Sequence, residues 1–68
     1  MKRNPLRSLE TIAGYLRRGV ELNRIDANLL GKALYQIAQE ISGEDLGIRE
    51  DYVKLTLEML KQKTEATK

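Results

Sequence analysis

Apolar residues recur at gaps of three and four through most of this 68-residue chain, and the longest such stretch runs from Leu22 to Ser42. Leu22, Ile25, Leu29, Leu30, Ala33, Leu34, Ile37, Ala38 and Ile41 fall on one side of a helix. At about 100° per residue that stripe spans roughly 220°, wider than one neighbour can cover. The spacing predicts a central helix over about 24–42. Leu34 and Ile37 belong to its core face. Lys32 and Gln39 lie on the polar side, where truncation is expected to cost almost nothing. Asn23 and Asp26 both suit the N-cap, and capping at Asp26 would make Ile25 and Leu30 a hydrophobic staple. Ser42-Gly43 is the stop.

Before it, Asn4-Pro5 reads as a helix start, and Leu6, Leu9, Ala13, Leu16 and Val20 step at 3, 4, 3 and 4, with Ile12 beside them. This narrower stripe covers about 120° and predicts a helix over about 5–18 laid across one neighbour. Gly14 lies off the stripe, where it either lets another backbone come close or is simply tolerated. Arg18-Gly19-Val20 is a stop, with the glycine left-handed and the valine folding back. After it, Gly43 to Gly47 is a polar loop whose Leu46, with Ile48, is expected to plug the end of the core. A third helix is predicted over about 49–63, with acids at its start and lysines at its end. Its apolar set of Tyr52, Val53, Leu55, Leu57, Met59 and Leu60 spans roughly 200°. Residues 1–3 and 64–68 are expected to fray.

The pattern thus predicts an all-α fold of one domain over 1–68, with no period-2 segment. Length and composition then add an assembly state. A chain this short buries only about 60% of its unfolded surface and usually needs help. It has no Cys and no His, which removes disulfides and the common zinc ligands. A second chain is the help that remains. The expectation is a helical homodimer of three-helix protomers, with the second or third helix as seam. Leu30, Leu34, Ile37, Ile41, Val53, Leu57 and Leu60 are the residues expected in the dimer or core seam. No apolar run approaches a membrane span and no signal-peptide core follows the basic start, so the expected place is the cytoplasm, without membrane contact.

Charge changes the picture of partners. Residues 1–24 hold six basic and two acidic residues, while 25–68 hold six basic and eight acidic. Such opposed patches serve a nucleic acid or an acidic protein, or pair with each other in a dimer. Arg3, Arg7, Arg17 and Arg18 fall within about 100° on the first helix, away from its leucines, and could contact phosphates. A helix-turn-helix with Gly19 as its turn glycine fits poorly. Tyr15, Arg18 and Asn28 occupy three positions that should be small or apolar. Catalysis finds little to work with, since Glu44/Asp45 and Glu50/Asp51 are paired only in sequence and sit where a loop and a helix start favour acids. The loop lacks calcium-ligand spacing, so no metal, no cofactor and no enzyme are expected.

Tyrosines and arginines are usual interface anchors. The candidate partner-binding residues are therefore Arg7, Tyr15, Arg17, Arg18, Tyr35 and Gln39; the plainer alternative is that each covers its own core or faces solvent.

The runs LRRGVEL, LLGKALYQIA and GEDLG, from Leu16 to Gly47, resemble a pattern in short uncharacterised helical proteins of bacteria and temperate phages. The chain departs from it at Asn23-Arg24, where such proteins often carry prolines. The resemblance implies an accessory protein that binds and disables a host protein, as anti-quorum-sensing and anti-CRISPR proteins do; it transfers no site residue. The expected function is a non-enzymatic regulator that binds and inhibits another protein, such as a host transcription factor. The alternative is a small dimeric DNA-binding regulator using the arginine face.

Overall fold

The computed structural model describes residues 3–66, which form three helices: α1 (Pro5–Arg17), α2 (Arg24–Ser42) and α3 (Tyr52–Ala66). The Asn4 side chain caps α1 by accepting from the Leu6 and Arg7 amides at 3.1 and 3.3 Å. α1 ends at Gly19 with φ +83°, and Val20 turns back against the core. Both helix-start candidates for α2 are used together. Asn23 accepts from the Asp26 amide at 2.8 Å while Asp26 accepts from the Asn23 amide at 3.3 Å, a reciprocal capping box. The Ile25–Leu30 staple expected from capping at Asp26 is therefore absent. With the cap at Asn23, Ile25 is the second residue of the helix instead of the residue before its cap, and it is 79% exposed.

α3 begins three residues later than the sequence predicts. Gly47, at φ +86°, turns the chain, and Asp45 holds that turn by accepting from the Gly47 amide and pairing with Arg49 at 2.9 Å. Arg49–Asp51 is thus a lead-in. The first-turn amides of α3, orphaned in any helix, all find partners: Tyr52 donates to Glu50 O, Val53 to the Gln36 side chain, Lys54 to the Asp51 side chain and Leu55 to Asp51 O. The helix also outlasts its predicted end, with Thr64 Oγ1 donating back to Leu60 O at 2.9 Å. Arg3, expected to be loose, pairs with Glu40 at 2.9 Å and Asp51 at 2.6 Å. Met1, Lys2, Thr67 and Lys68 of the expected frayed ends lie outside the described residues.

Those Arg3 bonds set the start of α1 beside the end of α2 and the start of α3. The fold is an up-down-up bundle measuring 38 × 22 × 19 Å. The core consists of Ile12, Ala33, Ile37, Val53 and Leu60, with Tyr15, Val20, Leu22, Leu30, Tyr52, Leu57 and Met59 packed around it. α2 and α3 meet most intimately. Beyond the Gln36–Val53 bond of 3.0 Å, the fully buried Thr56 hydroxyl donates to Leu29 O at 3.3 Å, and Asp26 pairs with Lys63 at 2.7 Å. No buried side-chain polar atom lacks a partner among the described residues. None of the described helices is long and apolar enough to cross a membrane.

Candidate protein-binding surfaces

The face that α1 buries differs from the one its spacing predicts. Ser8 and Ile12 are buried and Tyr15 half-buried. Leu6, Leu9 and Leu16 of the leucine stripe are 38–60% exposed, and Ala13 is exposed with them. The rotation is set at the ends of the helix. Arg3 is clamped between Glu40 and Asp51 at one end, and Val20 and Leu22 are drawn into the core at the other. Ser8 is small enough to let α1 approach, and its hydroxyl is satisfied locally by Asn4 O.

α2 shows the complementary surplus. Its Leu29–Gln36 flank meets α3, and Ile37 and Leu30 turn toward the core. Leu34 and Ile41 lie on the opposite flank, 39% and 53% exposed. Leu34 is therefore not a core residue. In an up-down-up bundle with this order of contacts, that flank borders the leucine edge of α1. Leu6, Leu9 and Leu16 thus stand along one α1–α2 face with Leu34 and Ile41. The other seam candidates are used inside the protomer: Val53 and Leu60 are wholly buried, Ile37 is buried, and Leu30 and Leu57 are half-buried against the core. Of the broad apolar set of α3 only Leu55 is exposed, at 44%, so most of that face is spent on α2 and α1.

The remaining candidates divide among three places. Arg7, Arg17 and Arg18 are exposed on the outer side of α1. The Arg18 guanidinium lies 5.5 Å from the centre of the half-buried Tyr15 ring. Glu10 falls between Arg7 and Arg17 around that helix, and Arg3 is taken by its acids, so the basic face is smaller than the sequence suggests. A shallow hollow over Gly14 is lined by Glu10, Thr11, Tyr15 and Arg18. A Cβ at Gly14 would meet nothing within 4 Å, so the glycine admits no backbone within the protomer. Tyr35 stands 64% exposed on the outer side of α2.

Gln39, in contrast, is not a surface residue awaiting a partner. Its Oε1 accepts from the Leu46 amide at 2.7 Å and the Ile48 amide at 3.3 Å, and its Nε2 donates to Ile48 O at 3.3 Å. It organises the α2–α3 loop. The loop in turn holds Ile48 half-buried but leaves Leu46 largely outside the core.

A further surface has no counterpart among the sequence candidates. The first two turns of α2 and the start of α3 enclose an open groove of about 420 Å³, lined by Arg24, Ile25, Asn28, Leu29, Lys32 and Tyr52. Its sequence signal was the Asn23-x-x-Asp26 spacing. Capping at Asn23 puts Ile25 at the second helical position, on the flank beside Lys32. No group of three or more acids, Cys or His able to hold a metal occurs among the described residues. Comparison of the chain with known protein families, curated proteins and solved structures finds no match.

Proposed function

We propose that this chain is a non-enzymatic regulatory protein that works as a homodimer and acts by binding, and thereby inhibiting, another protein. The open apolar face along α1 and α2 carries the reading. Five large aliphatic side chains on one face of so small a domain exceed the scattered exposure usual for a monomer. A two-helix face of this kind is self-complementary about a twofold axis, so two copies would together form a four-helix layer. Ala13 and Ala38, exposed beside the leucines, would allow close approach. Tyr35 and the Tyr15–Arg18 pair remain outside that seam as anchors for a second protein. Inhibition of a host protein, such as a transcription factor, rests on the resemblance in Leu16–Gly47.

DNA binding by α1 is the less supported reading. Arg3 is engaged within the protomer, Glu10 interrupts the remaining cations, and α2 spends its central turns in the core instead of projecting as a reading helix.

Light scattering after gel filtration at micromolar concentration tests the assembly. The expected particle has twice the 7.8 kDa chain mass. Leu9→Lys combined with Leu34→Lys should halve it while leaving helical circular dichroism intact. A monodisperse wild-type monomer would refute the dimer.

A further inference from the structure

The α2–α3 groove combines an apolar floor with a cationic rim. Leu29 and Tyr52 form the floor, and Ile25, the most exposed of the large apolar side chains, forms one wall. Met59 and Leu55 lie seven and three positions beyond Tyr52, so they extend its flank of α3. Leu55 is 44% exposed. Arg24 and Lys32 stand at the rim, two turns apart, and neither forms an ion pair among the described residues. Lys32 instead places its ammonium 5.3 Å from the centre of the Tyr52 ring. The nearest carboxylate in sequence, Asp26, faces the other way and is bound to Lys63. Asn28 adds a side-chain donor and acceptor at mid-groove. The volume suits one large side chain with its flanking backbone.

We propose that this groove seats an acidic amphipathic segment of the partner protein. One apolar side chain would rest on Leu29 and Tyr52, with carboxylates on either side pairing with Arg24 and Lys32. Charge complementarity argues for this occupant. Two unpaired cations around an apolar floor repel a basic peptide, while a neutral apolar segment would desolvate them without return. The inference deepens the protein-binding reading and rests on it, but it does not depend on the dimer face, because the groove lies on the opposite flank of α2 from Leu34 and Ile41.

The test is selection of a randomised twelve-residue peptide display library on the immobilised full chain. Winning peptides are then titrated in solution and followed by amide NMR shifts. The expected winners carry a leucine, phenylalanine or tryptophan flanked by Asp or Glu. They should shift the Ile25, Leu29 and Tyr52 amides and lose at least tenfold in affinity with Arg24→Glu/Lys32→Glu. That variant should keep the wild-type mass in light scattering.

Other outcomes overturn the proposal in distinguishable ways. Winners that shift Tyr15 or Tyr35 instead would refute the groove but leave protein binding standing. An absence of winners would count against both. If the double variant dissociated the dimer, the occupant would be a second copy of this chain, whose Glu44-Asp45-Leu46 loop has the same chemistry. If mixed-sequence duplex DNA shifted the groove amides where no peptide did, the rim would be a phosphate site.

Discussion

The two interfaces of α2 are built differently. Toward α3 it offers side chains that complete the backbone of its neighbour: Gln36 takes the Val53 amide, and Leu29 O receives the Thr56 hydroxyl. Toward α1 the described hydrogen bonds lie only at the rim, where Arg3 reaches Glu40. The core there rests on Ile12, with leucines left outside. Buried polar groups specify geometry because each tolerates only a few partners. Apolar contact alone specifies area and leaves rotation free. The α2–α3 contact is therefore the one fixed by buried polar groups, and α1 is the part that leaves its leucines exposed.

The largest test of this contrast compares two leucines. Leu60→Ala, at a fully buried site in the hairpin, should cost about 2–5 kcal/mol. Leu34→Ala should cost clearly less in the single chain, because nearly two-fifths of that residue already contacts water and its loss leaves no closed cavity. Thermal melts of the two variants, at a concentration where light scattering shows only single chains, compare them directly, and equal losses would place Leu34 back in the core.

Next in size are the two glutamines. Gln36→Ala strands the buried Val53 amide and should cost about 1–3 kcal/mol. Gln39→Ala, predicted from the sequence to be nearly free, should cost roughly 0.5–1.5 kcal/mol, because it releases the loop amides to water instead of burying them unpaired. Amide exchange at Leu46 and Ile48 should accelerate in Gln39→Ala alone.

The ion pairs at the bundle ends should appear as acid sensitivity. The Lys63 ammonium, with the Asn23 amide, holds the Asp26 carboxyl below its ordinary value. At Asp51 partial burial pushes upward, but Arg3 and the Lys54 amide outweigh it, and the net shift is also downward. Carboxyls lowered on folding stabilise the protein above the unfolded value, near pH 4, and lose that contribution as pH falls through their folded values. Urea midpoints should therefore be steady near neutrality and fall below about pH 4, with a shallower fall in Asp51→Asn. A midpoint that rises on acidification would contradict these pairings.

The smallest effect concerns the arginine face. Arg7→Ala/Arg18→Ala should move stability by no more than about 0.5 kcal/mol per residue. Neither wild type nor variant should retard duplex DNA at about 0.15 M salt. Retardation with a log–log salt slope near −3, flattened by about one per arginine removed, would restore the DNA reading.

Local chemistry was sufficient to place the helices. Asn4-Pro5, Gly19, the Asn23/Asp26 pair and Gly43 act within a few residues, so they mark α1 and α2 to within a residue of where they lie. α3 started late because the Asp45–Arg49 pair and the Asp51 cap outweighed a continuous helical pattern. Broad stripes correctly showed that α2 touches two neighbours. They could not show which part of each stripe would be used, because periodicity measures where apolar residues lie and not how a helix is rotated against its neighbours. That rotation was decided by contacts distant in sequence: Arg3 with Glu40 and Asp51, Gln36 with Val53, and Asp26 with Lys63. These bonds turned the leucines of α1 outward, drew Gln39 into the loop and opened the groove beside Ile25. The tertiary structure alone determined which apolar surface is left for a partner.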